Sequence, residues 1–329
     1  MNTPDSRRRQ LLALGGALAA GAALPSAFAQ SGWPNKPLRL IIPFAPGGGT
    51  DIVGRVVAQK LAEALGQPVV VENKAGGNGT IGADLVAKAA PDGYTWSMVT
   101  ASHSVNVTLQ GNKHPYDFLK DLAPVSQITS QPYVLVVDPK LPVKNLADLI
   151  ALAKAKPGTL NYGSSGLGGL SHLSGELFCS LAGLKMTHVP YKGGAPALAD
   201  VVAGQIQMLF STRLQAHGFL SSGRLKALAV TTSTRSPAAP ELPTMAEAGV
   251  PGYDVSGWYG MVATANTPRP VIDRVYNEIV KILKLPDVRE KMETDGSEPV
   301  GTTPAQFGAH LRVEVEKWRK VITAAGITA

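Results

Sequence analysis

The feature that most constrains this chain is an alternation. Short runs rich in Val, Ile and Leu give way, through Gly-rich turns, to segments whose apolar residues recur every three to four positions. "PLRLIIPF" passes through "APGGGTD" into a helical pattern ending at Gly66, and "QPVVVEN" passes through "KAGGNG" into "TIGADLVAKAA". Strands that alternate with helices in this way are covered on their faces by those helices and pair mainly in parallel. The predicted fold class is α/β.

The first helix is expected over "TDIVGRVVAQKLAEALG", with Ile52, Val53, Val56, Val57, Ala64 and Leu65 on its apolar side and Gly66 as its stop. "YTWSMVT" is a third strand, followed by an irregular stretch around Pro115; "LAPVSQIT" and "PYVLVVD" are expected as two long strands meeting near residues 129 to 132. The pattern then restarts with "NLADLIALAKA", "LNYGSS", "LSHLSGELFCSLAG", "MTHVPY", "APALADVVAG", "IQMLFS" and "LKALAVTT". From "RSPAAPELP" the chain is Pro-rich, passes through "YDVSGWYGMVA" and ends in two or three amphipathic helices, the last the longest. Two α/β units and a returning C-terminal segment predict two lobes joined by two crossing strands, with a cleft between them and freedom to hinge. Lobe 1 is expected over residues 30–128 plus 231–329, and lobe 2 over 129–230.

The N-terminus stands apart. "SRRRQLLALGGALAAGAALPSAFAQ" carries an Arg cluster, an apolar stretch of about 14 residues and Ala27-Phe28-Ala29 as a cleavage site. Residues 1–29 are expected to be an export signal cleaved after Ala29. Arg8-Arg9-Gln10-Leu11-Leu12 resembles a twin-arginine signal, with an ordinary Sec signal as the alternative. The formal net charge is +7, but no Lys/Arg run follows residue 9, which argues against nucleic acid and suits small anions. Cys179 is the one cysteine, so no intrachain disulfide can form; beside Leu177 and Phe178 it is expected as a buried structural thiol.

Four Gly-rich turns join strand ends to helix starts: "PGGGTD", "AGGNGT", "GSSGLGG" and "YKGGAP". In open α/β sheets ligands bind at that edge, and a helix start offers unpaired N–H groups and a partial positive charge. Four such turns make a main-chain pocket for a carboxylate or other small anion, held directly or through water. The plainer alternative is that glycine is there only to turn the chain.

Other chemistries fit less well. "GNGTIG" at residues 77–82 matches the dinucleotide fingerprint, but no Asp or Glu ends the next strand, where the ribose would need one. "APGGGTD" lacks the P-loop lysine, and Gly163-Ser164-Ser165-Gly166-Leu167 is not a nucleophile elbow. His103, His114, His172, His188, His217 and His310 are scattered without metal-ligand spacing, so neither cofactor nor metal is expected. His172 is expected to be a satisfied structural histidine, with a hydrogen bond near the site as the alternative. Trp258 and Tyr259 are expected to fill core near the crossing strands or to pack against the cleft. Lys192 and Arg213 are expected as solvated charges, with anion steering as the alternative.

As an ordered set, "PLRLIIPFAPGGGTDIVGR", "GQPVVVENKAGGNGTIGADLVAKAAPDGYT", "LNYGSSGLGGLSHLSGELF", "MTHVPYKGGAPALADVVAGQIQMLF", "LKALAVTTSTRSPAAPELPTMAEAG" and "GWYGMVATANTPRPVIDRV" resemble the Bug-type solute receptors of tripartite tricarboxylate transporters. The resemblance implies a two-lobed, type II periplasmic binding protein without catalysis that closes over a small organic carboxylate and delivers it to membrane transporter subunits; a monomer is the default expectation for such a shuttle. A sensor acting on a membrane receptor kinase is the alternative use of the same closure. Carried over residue by residue, it implies ligand contacts at Phe44, Ala45, Pro46, Gly47, Gly48, Gly49, Asn78, Gly79 and Ser102, and at Ser164, Ser165, Gly168, Gly169, Ser171 and Ser211. Many members have an Asp directly after the "QMLF"-like strand, where this chain has Ser211 and Thr212. That departure implies a plain di- or tricarboxylate or an aromatic acid, not an amino acid.

Overall fold

The computed structural model describes residues 32–44, 46–191, 194–237, 239–294 and 296–328. The expected export signal, Ala45 and Lys192 lie outside the described residues. In chain order the elements are β1 (Leu38–Ile42), α1 (Gly49–Leu65), β2 (Val69–Asn73), α2 (Thr80–Ala87), β3 (Thr95–Thr100), α3 (Ala101–Gln110) and β4 (Leu122–Val137). They continue as α4 (Leu146–Ala155), β5 (Asn161–Ser164), α5 (Leu170–Ala182), β6 (Thr187–Pro190), α6 (Gly194–Ala203), β7 (Met208–Thr212), α7 (Arg213–Ser221) and β8 (Lys226–Val230). The chain closes with β9 (Ser256–Thr264), α8 (Arg269–Ile282), α9 (Pro286–Thr294), β10 (Glu298–Pro299) and α10 (Pro304–Ala325).

Strand directions explain why a cleft forms. β1 pairs in parallel with β2 and β3, while β9 runs antiparallel to both β3 and β4. β4 therefore points the same way as β1 to β3, and it leaves their sheet at the edge where those strands end. Over Tyr133–Val137 it pairs antiparallel with β7, which is parallel to β5, as is β6. The parallel strands of the second lobe thus run back toward the first, and the C-terminal edges of the two sheets face each other.

Three local expectations are corrected. The two long strands are one continuous β4; Pro132 falls where its partner changes from β9 to β7, a place where a missing N–H disturbs neither ladder's interior. The return from β8 to β9 is tied to the crossing point, where Tyr133 N donates to Thr231 Oγ1 and Thr231 N to Tyr133 O, both at 3.0 Å. On α1 the buried face is Thr50, Val53, Gly54, Val57, Ala58 and Leu61. Ile52 is 42% exposed and Val56, Ala64 and Leu65 are half-buried, because the small Gly54 and Ala58 let the helix lie on β1 at that side. Finally, α3 and α7 are helices that the sequence pattern did not announce. Val105, Val107 and Thr108 are poor helix formers, and α3 stands because Thr100 caps it and because Ala101 and Val105 are buried.

α10 joins two of the core clusters. Phe307 and Leu311 pack with Ile41, Val99 and Trp258, whereas Trp318 and Val321 pack with Tyr162, Phe178 and Phe210. Between them Glu314 is buried and accepts from the indole N–H groups of Trp258 at 3.2 Å and Trp318 at 3.0 Å. Trp258 is thus core. Cys179 packs half-buried against the second cluster, and burial pushes its thiol up to about 12, away from the reactive thiolate.

Candidate functional site

The facing edges gather the residues that the sequence singled out. Phe44 and Pro46 to Gly49 follow β1, Asn78 and Gly79 follow β2, and Ser102 follows β3. Opposite them, Ser164 ends β5 and Ser165, Gly168, Gly169 and Ser171 follow it. The two edges touch at Gly168 (φ 70°), where a Cβ would come within 2.9 Å of Leu109 Cδ1 on α3.

Two of the helices that start on these edges, α1 and α5, are open at their first turn, whereas in α2 the preceding turn takes the first N–H groups, Thr80 N donating to Gly77 O and Ile81 N to Gly76 O at 3.4 Å. Gly48, Gly79 and Gly169 occupy the positions before α1, α2 and α5, and no side chain caps any of the three. The first N–H groups of a helix have no partner inside it and carry the positive end of its dipole. Helix α3 is the contrast: Ser102 N is spent on Thr100 Oγ1 at 3.2 Å, so its hydroxyl is what remains for a ligand.

A clamp that sequence reasoning missed holds the first loop. The buried Asp51 carboxylate accepts from Gly47 N at 2.9 Å, from Asn73 Nδ2 at 2.8 Å and from Arg55 Nε at 2.9 Å. Asn73 Nδ2 also donates to Phe44 O at 3.1 Å. Burial pushes the Asp51 carboxyl up, but the hydrogen bonds from Arg55, Gly47 and Asn73 outweigh it and hold it below its ordinary value. The Gly47 N–H is therefore taken, and an anion has the N–H groups of Gly48, Gly49 and Thr50 to approach. The available signal was Asp51 and Arg55 at i and i+4; the contact to Asn73 is not local. In the second loop Asn78, at φ 53°, donates to Asn106 Oδ1 at 3.2 Å, and Asn106 Nδ2 returns a bond to Asn78 O at 3.0 Å.

The loop after β5 uses most of its own N–H groups. Ser165 N donates to Ser171 Oγ at 2.8 Å, Gly166 N to Ser164 Oγ at 3.2 Å, Gly168 N to His172 Nδ1 at 3.1 Å and Gly169 N to Gly166 O at 3.2 Å. His172 is satisfied, as expected, and it also shapes this loop. With Nδ1 accepting, its proton sits on Nε2, 3.5 Å from Glu176 Oε1, which also takes the Tyr162 hydroxyl. Ser164 Oγ lies 2.6 Å from His188 Nε2, and burial together with the neighbouring His172 depresses His188 to about 4. This Ser–His pair is no nucleophile, since Ser164 has no exposed surface. The Ser211 hydroxyl is likewise buried and donates to Thr212 O at 3.1 Å, while Thr212 caps α7.

Arg213 points to a separate space. A cavity of about 630 Å³ lies beside Pro132, between Arg213, Leu214 and His217 of α7 and Arg289, Glu293 and Glu298 of the α9–β10 segment. None of the glycine turns lines it, and its two arginines are offset by its two glutamates, so it offers no net positive field at neutral pH. Among the described residues no helix is long and apolar enough to cross a membrane, and no group of three His, Cys, Asp or Glu is placed to hold a metal ion.

Two α/β lobes joined at β4, with open helix starts facing across the gap, define a solute-binding protein of the two-lobed type II class. The chain belongs to the receptor family of the tripartite tricarboxylate transporters: the model described as "Tripartite tricarboxylate transporter family receptor" matches residues 53–327. BugT of Bordetella pertussis is 37% identical over 318 residues, covering 96% of this chain and 98% of its own. A solved R. palustris protein with adipate is 38% identical, with a TM-score of 0.73 over 90% of this chain and 99% of that one. MatC from Rhodopseudomonas palustris, with bound malate, is 32% identical, with a TM-score of 0.69 over 88% of this chain and 100% of that one. The Bug-type resemblance and the solute-binding role that it implies therefore hold.

Proposed function

We propose that this receptor captures a small organic carboxylate, a di- or tricarboxylate or an aromatic acid, in the cleft and hands it to the transporter's membrane subunits. It works in the periplasm after loss of residues 1–29, binds without catalysis, and closes as lobe 1 (30–128 plus 231–329) and lobe 2 (129–230) approach. The observation that carries this reading is the pair of uncapped glycine starts of α1 and α5 on facing edges. Phe44, Pro46 to Gly49, Asn78, Gly79 and Ser102 form one wall, and Ser164, Ser165, Gly168, Gly169 and Ser171 the other. Ser165 and Ser171 act through their hydroxyls, with Ser164 as scaffold and Ser211 as the residue that withholds a negative charge from an ammonium group. Adipate and malate, held by two relatives, are dicarboxylates without an amino group.

The test is thermal unfolding of residues 30–329, denatured and refolded to remove carried-over ligand, against aliphatic, hydroxy, amino and aromatic acids. A ligand at about 100 times its dissociation constant stabilises by roughly 2.7 kcal/mol, a shift of several degrees. Tighter binding of aspartate or glutamate than of any plain acid overturns the assignment of ligand class. No shift with any acid overturns the carboxylate reading itself.

A further inference from the structure

His103 is a buried group whose hydrogen-bonding capacity the fold uses only in part. It is the third residue of α3, has no exposed surface, and its Nδ1 accepts the Thr100 N–H at 3.0 Å. A neutral imidazole donates from the nitrogen that does not accept, so the proton is on Nε2. Burial pushes this histidine down to about 4, so the ring is neutral at ordinary pH. Among the described residues Nε2 makes no well-formed hydrogen bond, the Gly79 backbone lying beside it as a weak acceptor.

The ring lies beneath two of the ligand loops. Phe44 stands edge-on to it with centroids 6.0 Å apart, and a Cβ on Gly79 would fall 2.8 Å from Nε2 and 3.1 Å from Phe44 Cζ. Gly79, at φ 96°, is thus the residue that keeps the Nε2 side clear of a side chain. The second lobe repeats the device with one difference. His172 is also the third residue of its helix, and its Nδ1 also accepts a main-chain N–H, but its Nε2 faces Glu176. Each lobe therefore orients its histidine through Nδ1, and only in the first does the outer N–H lack a well-formed hydrogen bond or a carboxylate beside it. A buried donor left unpaired costs free energy that a bound acceptor would recover.

We propose that the acceptor is the ligand: His103 donates its Nε2–H to a carboxylate oxygen of the bound acid where Phe44 meets Gly79, and so reads the acid end of the ligand. This inference rests on the carboxylate reading above. It differs from a capping role, which Nδ1 already fills.

Two variants separate those roles. His103→Asn keeps an acceptor near the Nδ1 position and removes the Nε2 donor; His103→Gln keeps an amide donor near Nε2 and gives up the cap. Adipate and malate are titrated calorimetrically into the refolded mature protein, and the Nε2–H signal is followed by ¹H–¹⁵N NMR. His103→Asn is expected to weaken binding about 10- to 100-fold, the range of one hydrogen bond to a charged group, with little change in the melting temperature of the empty protein. His103→Gln should melt lower yet bind more tightly than the Asn variant, and the wild-type Nε2–H resonance should move downfield with ligand. Wild-type affinity in His103→Asn, or an unmoved resonance at saturation, overturns the inference and leaves the receptor reading intact. Failure of the wild type to bind either acid, or any acid of the wider panel, overturns both.

Discussion

Gly48→Asp is expected to move binding and stability in opposite directions. Gly48 precedes α1 with φ −80° and ψ 165°, an extended conformation that Asp adopts without strain, and no side chain now caps that helix. Asp is among the best capping residues. Replacing Gly by it is worth a few tenths of a kcal/mol, and a negative charge on the helix dipole adds about 0.3–1 kcal/mol. Neighbouring Asp51 subtracts little, since its charge is paired with Arg55 at 2.9 Å. The empty variant should be as stable as the parent or gain up to about 1 kcal/mol, which raises its melting temperature by no more than a few degrees.

Binding responds the other way. The new carboxylate occupies the place where the ligand's carboxylate meets the helix start. Two like charges about 4 Å apart repel by about 4 kcal/mol at an effective dielectric of 20, which is roughly a thousandfold loss of affinity. Calorimetric titration with the ligand found for the parent measures the loss, and thermal unfolding without ligand measures the stability. Gly48→Ala serves as the uncharged control for bulk. Affinity within threefold of the parent in Gly48→Asp would remove this helix start from the site. A melting temperature that falls by many degrees would refute the account of Gly48 as a free capping position.

Asp51→Asn should bind ligand roughly tenfold more weakly and speed hydrogen exchange at Gly47, because the charge that organises Gly47, Asn73 and Arg55 is gone; unchanged exchange at Gly47 argues against the clamp. Glu314→Ala, which leaves the indoles of Trp258 and Trp318 unpaired in the core, should cost about 3 kcal/mol in urea unfolding with ligand affinity unchanged. His103 and His188 both titrate near 4 in the folded protein, below their ordinary 6.5. The unfolded chain therefore takes up protons first, so the stability that these neutral rings contribute is complete above pH 6.5 and is lost as pH falls toward 4. For His103 alone that span corresponds to roughly 3 kcal/mol. Urea midpoints at pH 7, 5.5 and 4 should fall in that order, less steeply in His103→Asn, and a flat profile contradicts the buried neutral rings.

Much of the architecture was legible because its signals are local. The alternation of "LRLII" with "TDIVGRVV" and of "VVVEN" with "TIGADLVA" needs no partner to be read, and neither does a glycine turn at each junction. Where local signals were weak, the reading failed. The helix "ASHSVNVTLQ" has the propensities of an irregular segment and owes its existence to Thr100, His103 and burial of Val105. Missing it hid Asn106, which ties down the loop of Asn78 and Gly79, and it also hid the setting of His103. Pro132 looked like a break and is the crossing point of one continuous strand.

What the sequence by itself determined is the α/β class, the alternation of strands with helices and the placing of Gly-rich turns at strand ends, since periodicity and turn chemistry reside in contiguous residues. Which main-chain groups are left for a ligand was decided only by tertiary structure. Asp51 takes the Gly47 N–H with the help of Asn73, His172 takes that of Gly168, and Gly79 lies over His103 from another strand's loop. A hydrogen bond is satisfied in space and not along the chain, so the free donors of a main-chain site become visible only when residues distant in sequence have claimed the others.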